Sequence, residues 1–321
     1  MPLEQTVERG WEVLRLTSNQ VSVAVVPGLG GTVTSLRAGP HELLARTPWG
    51  LPHLGAPALP GNPEAAMLDS SPGGWQPLFP YAGQAGGGYG TEGPYDGEAR
   101  LTWMSWRATD GGLVLEGRLR RTPFTLTRTL ALVGTEVSVT ETVRNTGAEP
   151  VEAVWGHRLL LGGDLVAAGT VVDGPASVVR SDPRGSSAAS YDDLLPWPRA
   201  YAGDGLVNLR TVPAPRSGST RTAYLCELSR PVVRVGRPAT GLGLELEWDD
   251  AVWPYLGYGL EAGGQAGYPW YGDGYHLALT PTSSWPSSGL PDVRRASGTA
   301  LTLEPGSETT ATLTLRVTPA R

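Results

Sequence analysis

The side chains in this 321-residue chain best suited to chemistry are aromatics set beside amides, hydroxyls and turn-formers. In Gly73-Gly74-Trp75-Gln76-Pro77-Leu78-Phe79-Pro80 an indole adjoins a carboxamide. Such a pair suits a pyranose, whose C–H face stacks on the ring while its hydroxyls bond the amide. The pattern returns in Tyr268-Pro269-Trp270-Tyr271-Gly272 and, with hydroxyls, in Leu279-Thr280-Pro281-Thr282-Ser283-Ser284. One shared cleft with carbohydrate chemistry is the economical expectation.

Titratable groups near these segments are candidates for proton transfer. His157 follows Val154-Trp155-Gly156 at the end of an expected strand, where an imidazole facing a cleft exchanges protons near neutral pH; a hydrogen-bonded structural histidine is the alternative. Glu261 lies between Trp253-Pro254-Tyr255 and the Trp270 segment, as a hydroxyl acceptor or base. Glu92, Asp96 and Glu98 crowd one loop, where they either hold hydroxyls or calcium or form a solvated acidic turn. His41, His53, His157 and His276 lack metal-ligand spacing, so neither metal nor cofactor is expected. Pro27-Gly28-Leu29-Gly30-Gly31 resembles a phosphate loop, but Thr32-Val33-Thr34-Ser35-Leu36 continues as a strand, which predicts a hairpin corner.

Composition removes other functions. All 25 basic residues are Arg, which rules out lysine Schiff-base and P-loop chemistry. A net charge of −6 without a basic stripe argues against nucleic acid. The one cysteine, Cys226, excludes an internal disulfide and is expected to be a small buried hydrophobe. With no signal-peptide pattern and no apolar run of spanning length, a soluble, cytoplasmic protein without a membrane partner is expected.

The elements that must position these groups are strands. Apolar residues alternate at Val21/Val23/Val25, Leu113/Leu115/Leu119, Leu126/Leu130/Leu132, Val137/Val139/Val143, Leu242/Leu244/Leu246/Trp248 and Leu313/Leu315/Val317. Turns such as Asp110-Gly111-Gly112 and Asn145-Thr146-Gly147 suit antiparallel hairpins. The 44 Gly and 29 Pro interrupt any helical stripe. An all-β single domain over residues 1–321 is expected, with little helix and with long loops at 48–63, 72–94 and 181–198.

Taken in order, GGWQPLFP, YDGEA, RTPFTLTRTLAL, VRNTG, VWGHR, YPWYG and LALTPTSS resemble the galactose mutarotase (aldose 1-epimerase) superfamily over nearly the whole chain. The resemblance implies a large twisted antiparallel β-sandwich binding a monosaccharide or the terminal sugar of a glycan. It also implies a reaction in which a carboxylate takes the anomeric hydroxyl proton while a histidine protonates the ring oxygen. The family's residues do not carry over intact. Its His-Gly-Glu stands here as Asp96-Gly97-Glu98, its second catalytic histidine as Arg158 after His157, and its Glu before Pro as Thr280.

The leading expectation is therefore a sugar-binding protein lined by Trp75, Gln76, Asp96, Arg158, Trp270, Tyr271 and Thr280, with the epimerase machinery replaced. Arg158 would favour an acidic or phosphorylated sugar. A second reading keeps an active epimerase with His157 as acid and Glu261 as base. A third is a glycoside hydrolase or lyase with paired carboxylates such as Asp96 and Glu261.

Overall fold

The apolar alternations become strands, with Leu119 alone falling one residue past the end of its strand, Gly112–Arg118. Phe124–Val133 buries Phe124, Leu126, Arg128, Leu130 and Leu132 on one face, and its neighbour Glu136–Asn145 buries Val137, Val139, Glu141 and Val143. The two pair antiparallel with Val139 opposite Leu130, so both apolar rows face the same way. The computed structural model describes residues 3–57, 59–84 and 93–320. In it strand accounts for about 50% and helix for 7%, an all-β architecture.

A twelve-stranded and an eight-stranded sheet, each built of antiparallel ladders, pack face to face. Their shared core takes Trp75, Leu159, Leu277, Leu279 and Leu256 from the large sheet and Leu113, Leu130, Val139 and Leu313 from the small one. Buried rings cross the layer edge-on: Phe79 meets Phe124 at 4.8 Å and Trp155 meets Trp253 at 5.0 Å. Each such pair adds about 0.5–1.5 kcal/mol beyond the area it buries. The Pro27–Leu29 turn joins the paired strands Val21–Val26 and Thr32–Ala38, the hairpin corner anticipated from sequence.

Two expected loops carry short strands, Trp75–Leu78 in 72–94 and Leu195–Pro196 in 181–198, and a helix follows the third. Trp75–Leu78, inside the 72–94 stretch, is a central strand of the large sheet. Pro63–Ser70, beginning where the 48–63 stretch ends, is an α-helix: Asn62 accepts a bond from the Ala65 N–H at 2.8 Å and Pro63 opens the first turn. Cys226 is buried, as expected, and burial raises its thiol pKa to about 11.

Candidate functional site: a groove on the outer face of the large sheet

Six antiparallel strands of the large sheet lie side by side in the order Trp75–Leu78, Gly156–Leu161, Tyr275–Thr282, Tyr255–Ala262, Ser219–Leu228 and Ala176–Ser181. Side chains alternate between faces, so register decides which residues reach the core and which reach the other side. Arg158 sits opposite Gln76, Thr280 opposite Gly257, and Gly257 opposite Tyr224. One step along, Ala278 is opposite Gly259 and Gly259 opposite Thr222; a further step pairs His276 with Glu261 and Glu261 with Thr220. These residues face away from the small sheet.

The middle of this face is built from Gly257, Gly259 and Ala278, which leaves a groove. One part, about 430 Å³, is lined by Glu64, Tyr95, Arg158, Arg184, Tyr224 and Thr280. A second, about 200 Å³, shares Tyr95, Arg158 and Ala278 with it and adds Gln76, Trp270 and His276. A third, about 490 Å³, opens beyond Trp270 and His276 toward Arg46 and Tyr271. The helix Pro63–Ser70 supplies one wall. Tyr268 closes over it, stacking on Trp49 at 5.7 Å and donating a hydrogen bond to Asp69.

Arg158 is the central polar group, and it is already engaged. Its Nη1 and Nη2 bond the two oxygens of Asp96, the second at 3.0 Å. Asp96 is fully buried in a left-handed backbone conformation (φ 63°) and also accepts the Gly83 N–H at 2.8 Å. Burial acts to lower the Arg158 pKa, but the Asp96 charge and hydrogen bonds outweigh it and raise the value, so the guanidinium remains charged. Further along, Asp182 accepts from Arg184 Nε at 3.0 Å and from the Tyr224 hydroxyl at 2.9 Å. Arg158 and Arg184 are thus each matched by an acid.

His276 is the groove's imidazole. Its ring lies 4.7 Å from that of Trp270, and neither nitrogen has a hydrogen-bond partner among the described residues. Burial, and then the Arg158 charge, lower its pKa to about 4. At neutral pH it is uncharged, with one N–H to donate and one nitrogen to accept. Glu261 accepts from the Thr220 hydroxyl at 2.6 Å and from the Gln265 N–H at 2.9 Å. Gly274 makes this corner possible, since a Cβ there would lie 2.7 Å from Glu261 Cγ and 2.9 Å from Trp270 Cγ.

Gln76, Arg158, Trp270 and Thr280 therefore line the groove, Asp96 lies buried behind Arg158 and Glu261 beside Thr220 on the same side of the sheet, and Tyr271 stands at the outer rim, 74% exposed. Trp75 and His157 do not join them. Trp75 pairs with Val33 and Leu159 mid-sheet and sends its ring into the core, so it offers no platform to a ligand. His157 immediately precedes Arg158 and so points the opposite way, with no exposed surface. Its Nδ1 accepts from Trp75 Nε1 at 3.2 Å, and its Nε2 lies 3.5 Å from Glu141 Oε1. Burial lowers its pKa and leaves it neutral. The hydrogen-bonded structural histidine is the reading the geometry supports. Glu98 holds the turn at 120–122, accepting the N–H groups of Arg120, Arg121 and Thr122, each at 2.9 Å; Glu92 lies outside the described residues. Among the described residues no His, Cys, Asp and Glu cluster could hold a metal, and no helix is long and apolar enough to cross a membrane.

Sequence reasoning missed His276, although it stands four residues before Thr280 in one strand and so shares its face. It also missed a charged network in the core. Arg128 and Glu141 face each other across neighbouring strands, with Nε 2.9 Å from Oε2, and Glu141 Oε1 accepts from Trp155 Nε1 at 2.6 Å. Both occupy inward positions of apolar alternations, which is the signal that would have revealed them.

No protein-family model and no curated protein matches the chain. Solved structures do. A candidate aldose 1-epimerase from Klebsiella pneumoniae superposes with a TM-score of 0.74 at 12% identity, over 99% of this chain and 83% of that one. A candidate aldose 1-epimerase from Escherichia coli K12 gives 0.67 at 18% over 96% and 99%, and a galactose mutarotase-like protein from Lactobacillus casei gives 0.66 at 16% over 95% and 99%. The antiparallel sandwich described above is thus the galactose mutarotase-like fold, present here over almost the entire chain.

Proposed function

We infer that the chain binds a neutral monosaccharide, or the terminal sugar residue of a glycan, in the groove of the large sheet, without the acid/base pair of an aldose 1-epimerase. The observation that carries this reading is the Arg158–Asp96 pair. The resemblance in sequence puts the two histidines of that reaction at these positions, and here they hold a guanidinium and a carboxylate bonded to each other. A charged guanidinium gives up no proton at neutral pH, and the hydroxyl of Thr280 is no base. What remains suits recognition: Trp270 offers an indole face, His276 one donor and one acceptor, and Gln76 a carboxamide.

Because Asp96 balances the charge of Arg158 and takes one N–H from each of its terminal nitrogens, the groove favours neutral over anionic sugars, contrary to the preference expected from the arginine alone. The hydrolase reading draws no support from the carboxylates either. Asp96 and Glu261 each receive hydrogen bonds on both oxygens, so neither presents an unengaged acid.

Calorimetric titration with neutral hexoses, uronic acids and sugar phosphates, beside NMR measurement of anomer exchange, tests the proposal. Binding of a neutral sugar that weakens about tenfold in W270A and H276A, with anomer exchange at the uncatalysed rate, is the expected result. Accelerated exchange, or no binding by any sugar tested, overturns it.

A further inference from the structure

A second cavity, of about 600 Å³, lies away from the groove and is lined by Trp11, Gly28, Glu98, Leu101, Trp103, Arg118, Arg120 and Arg121 among others. We propose that it is a separate binding site for an anionic sugar residue of an acidic glycan, which stacks on Trp103 while its carboxylate or sulfate meets Arg118 and Arg120.

Trp103 is 60% exposed yet firmly held. The residues flanking it are stapled to the Pro27–Leu29 turn by bonds from Gly30 N–H to the Thr102 carbonyl, 2.9 Å, and from Met104 N–H to the Pro27 carbonyl, 3.1 Å. Its ring stacks on that of Trp11 at 6.1 Å, and Trp11 is pinned by an Nε1 bond to the Pro52 carbonyl at 2.8 Å. Both rings rest on Gly28, whose φ is ordinary; a Cβ there would lie 2.8 Å from Trp11 and 3.0 Å from Trp103. That glycine is explained by the space the indole pair occupies. An exposed aromatic fixed in advance loses little side-chain freedom on binding.

The backbone beneath the charged wall is fixed as well. Glu98 binds the 120–122 turn through three backbone N–H groups, so its carboxylate sets the shape of the turn that carries Arg120, and Arg118 ends the strand Gly112–Arg118 just before it. Arg118 and Arg120 form no ion pair among the described residues, whereas Arg158 and Arg184 in the groove each have one. Arg118 and Arg120 against the single carboxylate of Glu98 make this a cationic patch on a chain of net charge −6. A planar guanidinium matches a carboxylate or sulfate, and an indole matches the C–H face of a pyranose. Arginines gathered at a single indole do not form the track that follows a nucleic-acid backbone, so the glycan is the better fit.

The test titrates a trigalacturonate into the full chain by tryptophan fluorescence and calorimetry. A neutral trisaccharide and a short oligothymidylate serve as comparators, and circular dichroism checks the fold of each variant. Saturable binding of the trigalacturonate is expected, weakened at least tenfold in W103A and in R118S/R120S and weakened by added salt. Hexose binding in the groove stays unchanged in both variants. H276A does the reverse, so failure of this site and failure of the groove reading are distinguishable. Absence of trigalacturonate binding, affinity in either variant equal to that of the unaltered chain, or tighter binding of the oligothymidylate overturns the proposal.

Discussion

Arg128–Glu141 and Arg158–Asp96 are both guanidinium–carboxylate pairs, and they lie on opposite sides of the large sheet. The first is sealed between the sheets, with side-chain exposures of 2% and 0%; in the second the arginine side chain is 23% exposed to a groove. The strand Gly156–Leu161 touches both, because His157 turns inward toward Glu141 and Arg158 turns outward toward Asp96. Similar chemistry serves different ends according to solvent access. The inner pair has no route to a ligand, so it can act only on the folding and pairing of the two sheets. The outer pair is on the path of any ligand, so it acts on which ligand is accepted.

Breaking the inner pair gives the largest effect. In E141A, Arg128 and the N–H groups of Trp155 and His157 lose their carboxylate in a dry core, and a buried charge left alone costs about 3–5 kcal/mol. Urea denaturation is expected to show that loss, with the variant expressing poorly at 37 °C. A loss under 1 kcal/mol would mean that solvent reaches the network and that the contrast between the two faces is not one of access.

D96N sharpens the other side. Asparagine tolerates the left-handed conformation that Asp96 adopts, so the turn survives while Arg158 loses its counter-charge. Because the guanidinium is partly exposed, the expected stability cost is smaller, about 1–3 kcal/mol. Affinity for a uronic acid is expected to rise about tenfold relative to a neutral hexose, consistent with charge-assisted bonds of about 1.5–3 kcal/mol. Unchanged selectivity in a folded D96N would show that Asp96 does not decide the charge preference.

Acid separates the two faces further. The His276 pKa, lowered to about 4 by burial and Arg158, lies below an unfolded value of about 6.5, so the unfolded chain takes up the proton first. This contribution to stability is complete above about pH 6.5 and is lost as pH falls toward 4. His157 is displaced in the same direction and adds a decline of the same sign from the core. Denaturant midpoints from pH 7 to 4 should fall less steeply in H276Q, with the slope due to His157 remaining. An identical slope in H276Q would assign the whole effect to the inner face.

Much of the fold was legible because period two is a strong signal in strands buried on one face. The same alternations hid the inner network: the apolar runs Leu126/Leu130/Leu132 and Val137/Val139/Val143 each skip one inward position, and the skipped residues are Arg128 and Glu141. Trp75 was misread because Gly and Pro around an indole suggest a loop, whereas pairing with Val33 and Leu159 makes it a central strand residue. His157 and Arg158 differ by one place in sequence, and only register says which one meets the groove. Period-two alternation back from Thr280 would have exposed His276, but its isolation from the other histidines in sequence concealed its place beside Trp270.

The smallest change probes the groove floor itself. Gly259 has an ordinary φ, and a Cβ built there meets only the Ala278 Cβ at 3.4 Å, so the fold does not require glycine at this position. G259A is therefore expected to keep stability within about 0.5 kcal/mol or to gain slightly, since alanine has less unfolded-state entropy to lose. Its methyl group projects where Ala278 and Thr222 flank the 430 Å³ part of the groove, and affinity for a bound hexose should fall severalfold. Lost affinity with retained stability separates a surface shaped for a ligand from one shaped by packing, which no substitution in the inner network can do. Retained affinity would move the sugar off this floor, toward Trp270 and His276 at the other end of the groove.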